Sequence, residues 1–517
     1  MRQAPAHKRR ILQAALVAVL LACTSAGRAQ SAGNDHVEVL NADRWEYDKD
    51  KATGAQRLIG NVRLKQKDAL MSCDSAHLYT DDKVGAFGRV LLTQDTVRIT
   101  GDRLEYDGRV RTARMTGHVR LADPGMELTT EDLTYDLRSR RAEYRTGARI
   151  QGSRDGNTLT SMIGAYEVGT RTFSFTGQVR ISHPERQITS DTLRYNNATG
   201  VAEFLGPTHI LQEGTVMYGE RGSYDTRKEE GRLTRAGRIK SGAQQITGDT
   251  LHYRKATGEG AAWGHVTLTD TAGNMLVRGN EGRHNERTGK AMVTGRAELV
   301  MAMAADSLFL HADTLFATQD SAGGRRVQAR RQVRFFKSDL QGVCDTMDYV
   351  QADSLITLRG NPFLWAKEDQ LSGDTVRIRL RHGKAETLYV DGTAFMASQA
   401  DSTHYNQVAG LAMVGHFRED ELYKLIVEGN SRTIYFARET KDSVEQVTGM
   451  NRADCSIITV GLHEGQVSSV SFLTQPSATL FPLDKVSQGE RRLEGFEWNA
   501  EARPKDRYDI FREPGTR

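Results

Sequence analysis

Apolar and polar residues alternate along this chain in short runs, the period of two expected of β-strands with one buried face. From Gly264 to Thr269, residues Gly264, Val266 and Leu268 share one face, while His265, Thr267 and Thr269 share the other. The preceding run carries an offset. Ile246 and Gly248 have one parity and Leu251 and Tyr253 the opposite one, so the Gly-Asp-Thr step at 248–250 shifts the pattern by one residue. A bulge or corner produces such a shift, and Gly supplies the backbone freedom for it. The pattern predicts strands that bend at Gly-Asp and carry their apolar face from one sheet onto a second. Short polar loops ending in Gly200, Gly258 and Gly289 read as hairpin turns, which makes successive segments antiparallel. No segment outside the N-terminal apolar run sustains an amphipathic helical period.

The same phrase recurs along most of the chain. Its first half, Gly-Asp-x-Leu-x-Tyr, stands at Gly101, Asp102, Leu104 and Tyr106, at Asp191, Leu193 and Tyr195, and more loosely at Asp132, Leu133 and Tyr135. Its second half, Gly-x-Val, stands at Gly60/Val62, Gly88/Val90, Gly117/Val119, Gly177/Val179 and Gly264/Val266, with degenerate copies at Gly206, Gly295 and Gly360. A period of roughly 30 residues marks a repeat architecture. Catalytic constellations occur once in a protein, whereas residues copied into every unit build a surface or a core. The expected fold is therefore all-β, an extended antiparallel jelly roll or open-sided solenoid of tandem repeats, and the expected function is not enzymatic.

Composition narrows this further. The 517 residues include only 9 prolines and are 38% hydrophobic, which suits a shallow core without domain linkers. Lys8, Arg9 and Arg10 precede an apolar run from Ile11 to Ala22, too short to span a bilayer but the right length for an export signal. Two readings of its end stay open: cleavage after Ala29, which makes residues 1–29 a signal peptide, or lipid attachment at Cys23. Both imply export. The formal charge of +4 includes five basic and no acidic residues within 1–29, so the remainder is close to neutral and gives nucleic acid no electrostatic footing. Cys73, Cys344 and Cys455 are widely separated, without metal spacing, and read as small buried strand residues.

Other recurrent residues read as structural. Asp102, Asp191, Asp249 and Asp374 are expected to cap their own corners through nearby backbone. Tyr106, Tyr135, Tyr195 and Tyr253 read as half-buried strand aromatics whose hydroxyls reach a polar edge. His118 and His265 point outward, with no partner at metal spacing. No catalytic residue, metal site or cofactor is expected.

The phrase, its period and the export signal together resemble the OstA-like, LptA-type lipopolysaccharide-transport family, in particular its long multi-module members. The resemblance covers roughly residues 36–400; the segments Ser471–Pro476 and Gly495–Pro504 resemble the tails of the same long proteins. It implies a periplasmic carrier of lipopolysaccharide toward the outer membrane, with acyl chains in an apolar groove between two sheets. Residues of inward parity are the candidates for that groove: Leu104, Val119, Leu121, Val179, Ile181, Leu193, Leu251, Val266 and Leu268. The same residues would equally fill a closed core. Expected boundaries are 30–185 for a first module, 186–335 for a second, 336–480 for a third and more divergent one, and 481–517 for a C-terminal tail. Terminal strands with unpaired backbone imply partners among other lipopolysaccharide-transport proteins, or head-to-tail self-association. Two other functions fit the pattern: the periplasmic part of an outer-membrane assembly complex, and a structural or adhesive solenoid without a groove.

Overall fold

A computed structural model describes residues 35–47, 54–152, 156–272, 274–303, 306–319, 324–419, 421–441, 444–463 and 466–512. The segment read as the export signal, including Cys23, lies outside them. Among the described residues the chain is strand almost throughout, and every strand pairing that defines its body is antiparallel. The helical elements among the described residues are three single 3₁₀ turns near the C-terminus.

Every second long strand is broken near the middle by two consecutive residues with left-handed backbone. In Thr112–Asp123 these are Gly117 (φ 78°) and His118 (φ 47°); in Glu259–Asp270 they are Gly264 (φ 68°) and His265 (φ 45°). The pairing register shifts there, so one strand feeds two half-sheets. Residues 112–116 pair with 103–107 and 132–136, whereas 119–122 pair with 98–100 and 127–130. Such a conformation costs a non-glycine residue about 1–2 kcal/mol, so the corner needs support.

The support is an aspartate from the neighbouring strand. Asp102 accepts a hydrogen bond from His118 Nδ1 at 2.7 Å, Asp249 one from His265 Nδ1 at 2.9 Å, and Asp374 one from Thr393 Oγ1 at 2.6 Å. Backbone contacts repeat the theme: Asp249 N–H donates to Gly264 O at 2.9 Å, and Asp374 N–H to Gly392 O at 3.0 Å. These aspartates therefore lock the next corner and not their own, which corrects the sequence expectation. Pairing brings Gly-Asp of one strand opposite Gly-x of the next, a relation that spacing along one unit does not reveal. Asp102 raises the His118 pKa by hydrogen bonding, and both side chains are exposed.

The chain divides into two compact units, residues 1–154 with 160–171, and residues 155–159 with 172–517. In the first unit the two half-sheets face each other, and the side opposite the corners is bridged by buried polar pairs. Tyr106 donates to Gln66, Tyr135 to Gln94 at 2.8 Å, and Tyr166 to Asp123 at 2.7 Å. Each tyrosine belongs to one half-sheet and each acceptor to the hairpin end of the other. Gln94 is further held by Asp68 at 2.8 Å and by Leu137 O at 3.0 Å. The tyrosines are fully buried, deeper than sequence parity suggests, because their hydroxyls find partners inside the sandwich. Burial pushes these phenols above their ordinary pKa, so they remain neutral donors. Cys73 and Cys344 are buried free thiols, raised by desolvation to about 11 and about 12.

Two substitutions check this account. Gly117→Ala places a Cβ 2.5 Å from Asp102 Oδ2 at a positive φ and is expected to destabilise the first unit by about 1–3 kcal/mol, read from chemical denaturation. Tyr135→Phe leaves Gln94 Oε1 without its buried donor and should cost about 1–3 kcal/mol in the same measurement; an unchanged midpoint would contradict a bonded seam.

Candidate functional site

The second unit has a polar seam of its own at first, which then changes character. Tyr224 donates to Gln212 at 2.8 Å, and Gln212 in turn donates to Glu229 at 2.7 Å. Strand pairing carries the tyrosine position through one continuous row: Tyr195, Ala202, Tyr224, Gly231, Tyr253, Gly260 and His284. Further along, the row reads Tyr349, Ile356, Ile378, Leu388, Gly415, Leu425 and Val460. The opposing row changes in step. Gln212, Thr215, Ser241, Gln244 and Asp270 give way to Met275, Met301 and Leu308. Past Tyr349 the first row offers no hydroxyl or amide to bridge to the other half-sheet, whose own row runs on through Lys337, Leu340, Ala366, Asp369 and Ser398.

A cavity of about 540 Å³ opens there, within the size range of small-molecule and lipid sites. Its walls are Leu308, Phe335, Leu340, Met347, Ile356, Leu364, Leu371, Ile378, Leu388, Met396 and Leu425, drawn from both half-sheets. Its mouth lies between four tight hairpin turns. Lys337–Leu340 and Ala366–Asp369 form one lip, and Arg381–Lys384 and Arg418–Glu421 the other. The first three are two-residue turns, which keeps the lips short, and Lys367 (φ 51°), His382 (φ 53°) and Glu419 (φ 52°) take positive φ in the last three.

Charge is confined to the rim. Lys337, Asp339, Lys367, Asp369, Lys384, Glu419 and Glu421 reach the mouth, while the walls are hydrocarbon. Lys337 Nζ pairs with Asp339 at 2.5 Å. Burial raises the carboxyl of Asp369 above its usual range, opposed by a hydrogen bond from Ser398. Among the described residues, no group of three or more His, Cys, Asp or Glu is placed to hold a metal ion, and no helix is long and apolar enough to cross a membrane. An apolar chamber with a charged rim can hold alkyl chains while leaving a polar headgroup in water.

The nine groove candidates occupy the inner faces as their parity implied. Leu104, Val119, Leu121, Val179, Ile181, Leu193, Leu251 and Val266 are each at most 2% exposed. Leu268 is partly buried and packs on the core that surrounds the cavity. None of the nine lines the cavity itself, which is built from the more divergent repeats. A sequence signal did exist. The tyrosine slot of the phrase, filled by Tyr253 after Asp249-Thr250-Leu251, is taken by Ala317 after Asp313-Thr314-Leu315 and by Ile378 after Asp374-Thr375-Val376.

Comparison with known proteins agrees with this organisation. Residues 34–191 match the family model described as OstA-like protein, and residues 276–384 match that of the LptA/(LptD N-terminal domain) LPS transport protein. The second match begins where the seam rows turn aliphatic. No curated protein matches the chain. Among solved structures, LptH, the LptA homologous periplasmic component of the conserved lipopolysaccharide transport device from Pseudomonas aeruginosa, aligns at 13% identity. That alignment covers 28% of this chain and 95% of LptH, with a TM-score of 0.21. By the two family matches, which fall on its bridged and its open repeats respectively, this chain belongs to the OstA-like family of lipopolysaccharide-transport proteins.

Proposed function

We propose that this protein is a non-enzymatic periplasmic carrier of lipopolysaccharide that takes acyl chains into the seam cavity of its second unit and passes them toward the outer membrane. The observation that carries the reading is the change of the tyrosine row from bridging hydroxyls to aliphatic residues, which leaves an apolar chamber open at a charged rim. Each methylene moved from water into such a chamber gains about 0.8 kcal/mol, so a few buried turns of acyl chain outweigh the cost of ordering them. Contacts of this kind are non-directional, so a lipid can shift along the wall without breaking specific bonds.

The nine inward residues of the earlier repeats belong to the same proposal: within each unit they are the walls an acyl chain would meet when the bridged seam parts. Partners are proposed to add at terminal strands. Glu38–Asn41 and Arg44–Tyr47 both pair with Gln56–Gln66, and Gln466–Leu473 and Ser477–Pro482 both pair with Val444–His463. A strand of another transport protein, or of a second copy, would extend either end by main-chain hydrogen bonds.

Photoreactive residues at Ile378 and Met396 are expected to form lipopolysaccharide adducts in cells, and an outward control at Arg379 none. Adducts at Val119 and Val266 as well would extend the groove into the earlier repeats; adducts at no inward position would favour a solid scaffold. Filling the chamber with Ile378→Trp should weaken lipopolysaccharide binding by about tenfold or more, on the order of 1.4 kcal/mol, with the circular dichroism spectrum retained. Binding at wild-type strength by a folded Ile378→Trp protein would place the lipid elsewhere.

A further inference from the structure

The half-sheet that forms one wall of the cavity has a second face, and the C-terminal tail covers it. Residues 483–512 contain only short 3₁₀ turns, yet they run back across the strands in an order opposite to the chain. Val486 and Leu493 pack with Phe395, Ala397, Ala409, Ile434 and Phe436. Trp498 lies 4.8 Å from the Tyr405 ring, and Phe511 lies 4.8 Å from His311. Three glutamines, each at most 2% exposed, bind the tail along the way. Gln407 accepts from Leu493 N–H at 2.8 Å, Gln370 accepts from Asn499 N–H at 2.7 Å, and Gln341 accepts from Arg503 Nε at 2.8 Å.

Arg503 joins two parts of one lip. Besides Gln341, which itself donates to Lys337 O at 2.6 Å, its guanidinium donates to Lys367 O at 2.8 Å. Lys337 and Lys367 sit in the two adjacent turns on that side of the mouth and both line it. The strands behind the second turn, Phe363–Ala366 and Asp369–Ser372, are four residues each. Pairing with Leu340–Val350 on one side and Lys384–Gln399 on the other holds this hairpin at its edges, but a hairpin this short gains position from contacts on its faces as well. The tail supplies them on the outer face, since the inner face borders the cavity.

We infer that the C-terminal tail is a strap that sets the position of this lip, with Arg503 as the positioning residue that clamps its two turns together. The role of the mouth rests on the proposed lipid function, but the clamp itself is a matter of geometry and is tested without a lipid. Nitroxide labels on cysteines introduced at Lys367 and Glu419, across the mouth, report the lip separation in the full chain carrying Cys23→Ser; Cys73, Cys344 and Cys455 are buried. The expected result is a narrow distance distribution that broadens and moves outward with Arg503→Ala, and partly recovers with Arg503→Lys. Arg492→Ala, which removes only a cation–π contact to Phe496 elsewhere on the strap, should leave it unchanged. An Arg503→Ala distribution identical to the parent would overturn the clamp, as would equal broadening by Arg492→Ala, which would mean general loosening. Loss of lipid adducts with an intact clamp would refute the carrier function alone.

Discussion

The architecture depends on one contact, the aspartate that locks the left-handed corner of the next strand. Two consecutive residues at positive φ are costly in an L-peptide chain, and a strand that could avoid them would run straight. Glycine at the first position removes the steric part of that cost. At the second position His118, His265 and Thr393 are held by Asp102, Asp249 and Asp374. Because every such bond joins neighbouring strands, corners stack above one another, and the two half-sheets stay in register along each unit.

With the corners closing one side of the sandwich, the opposite side decides whether it is solid or open. Tyrosine and glutamine pairs close it in the first unit and at the start of the second, where each buried hydroxyl satisfies a buried amide. Farther along, the tyrosine row carries Ile356, Ile378 and Leu388, and the opposing row leaves its polar stretch through Met275, Met301 and Leu308. Aliphatic side chains can pack but cannot bridge, so the walls separate and a chamber forms. One scaffold thus yields a rigid section and a receptive one by exchanging residues in two rows.

The receptive section then needs stiffness from elsewhere, since its short strands no longer have a bonded seam. The tail provides it on the outer face through backbone-to-glutamine bonds and a small aromatic cluster. Segments without regular structure suit this purpose. Their free N–H and C=O groups are what Gln370 and Gln407 bind, while Gln341 accepts from the Arg503 side chain.

Much of this was written in the sequence. Alternation, hairpin glycines and the parity offset at Gly248-Asp249 specify bent antiparallel strands, because they depend only on local backbone geometry and on which face is apolar. The inward placement of Leu104, Val179 and Val266 follows from the same parity. The partner of each aspartate was hidden, because strand pairing sets it. So was the difference between a filled interior and an open one, since parity says which way a side chain points and not whether anything meets it. Only the tertiary structure places Tyr135 against Gln94 and leaves Ile378 facing a cavity, and only it brings Arg503 to Lys367, 136 residues away in sequence.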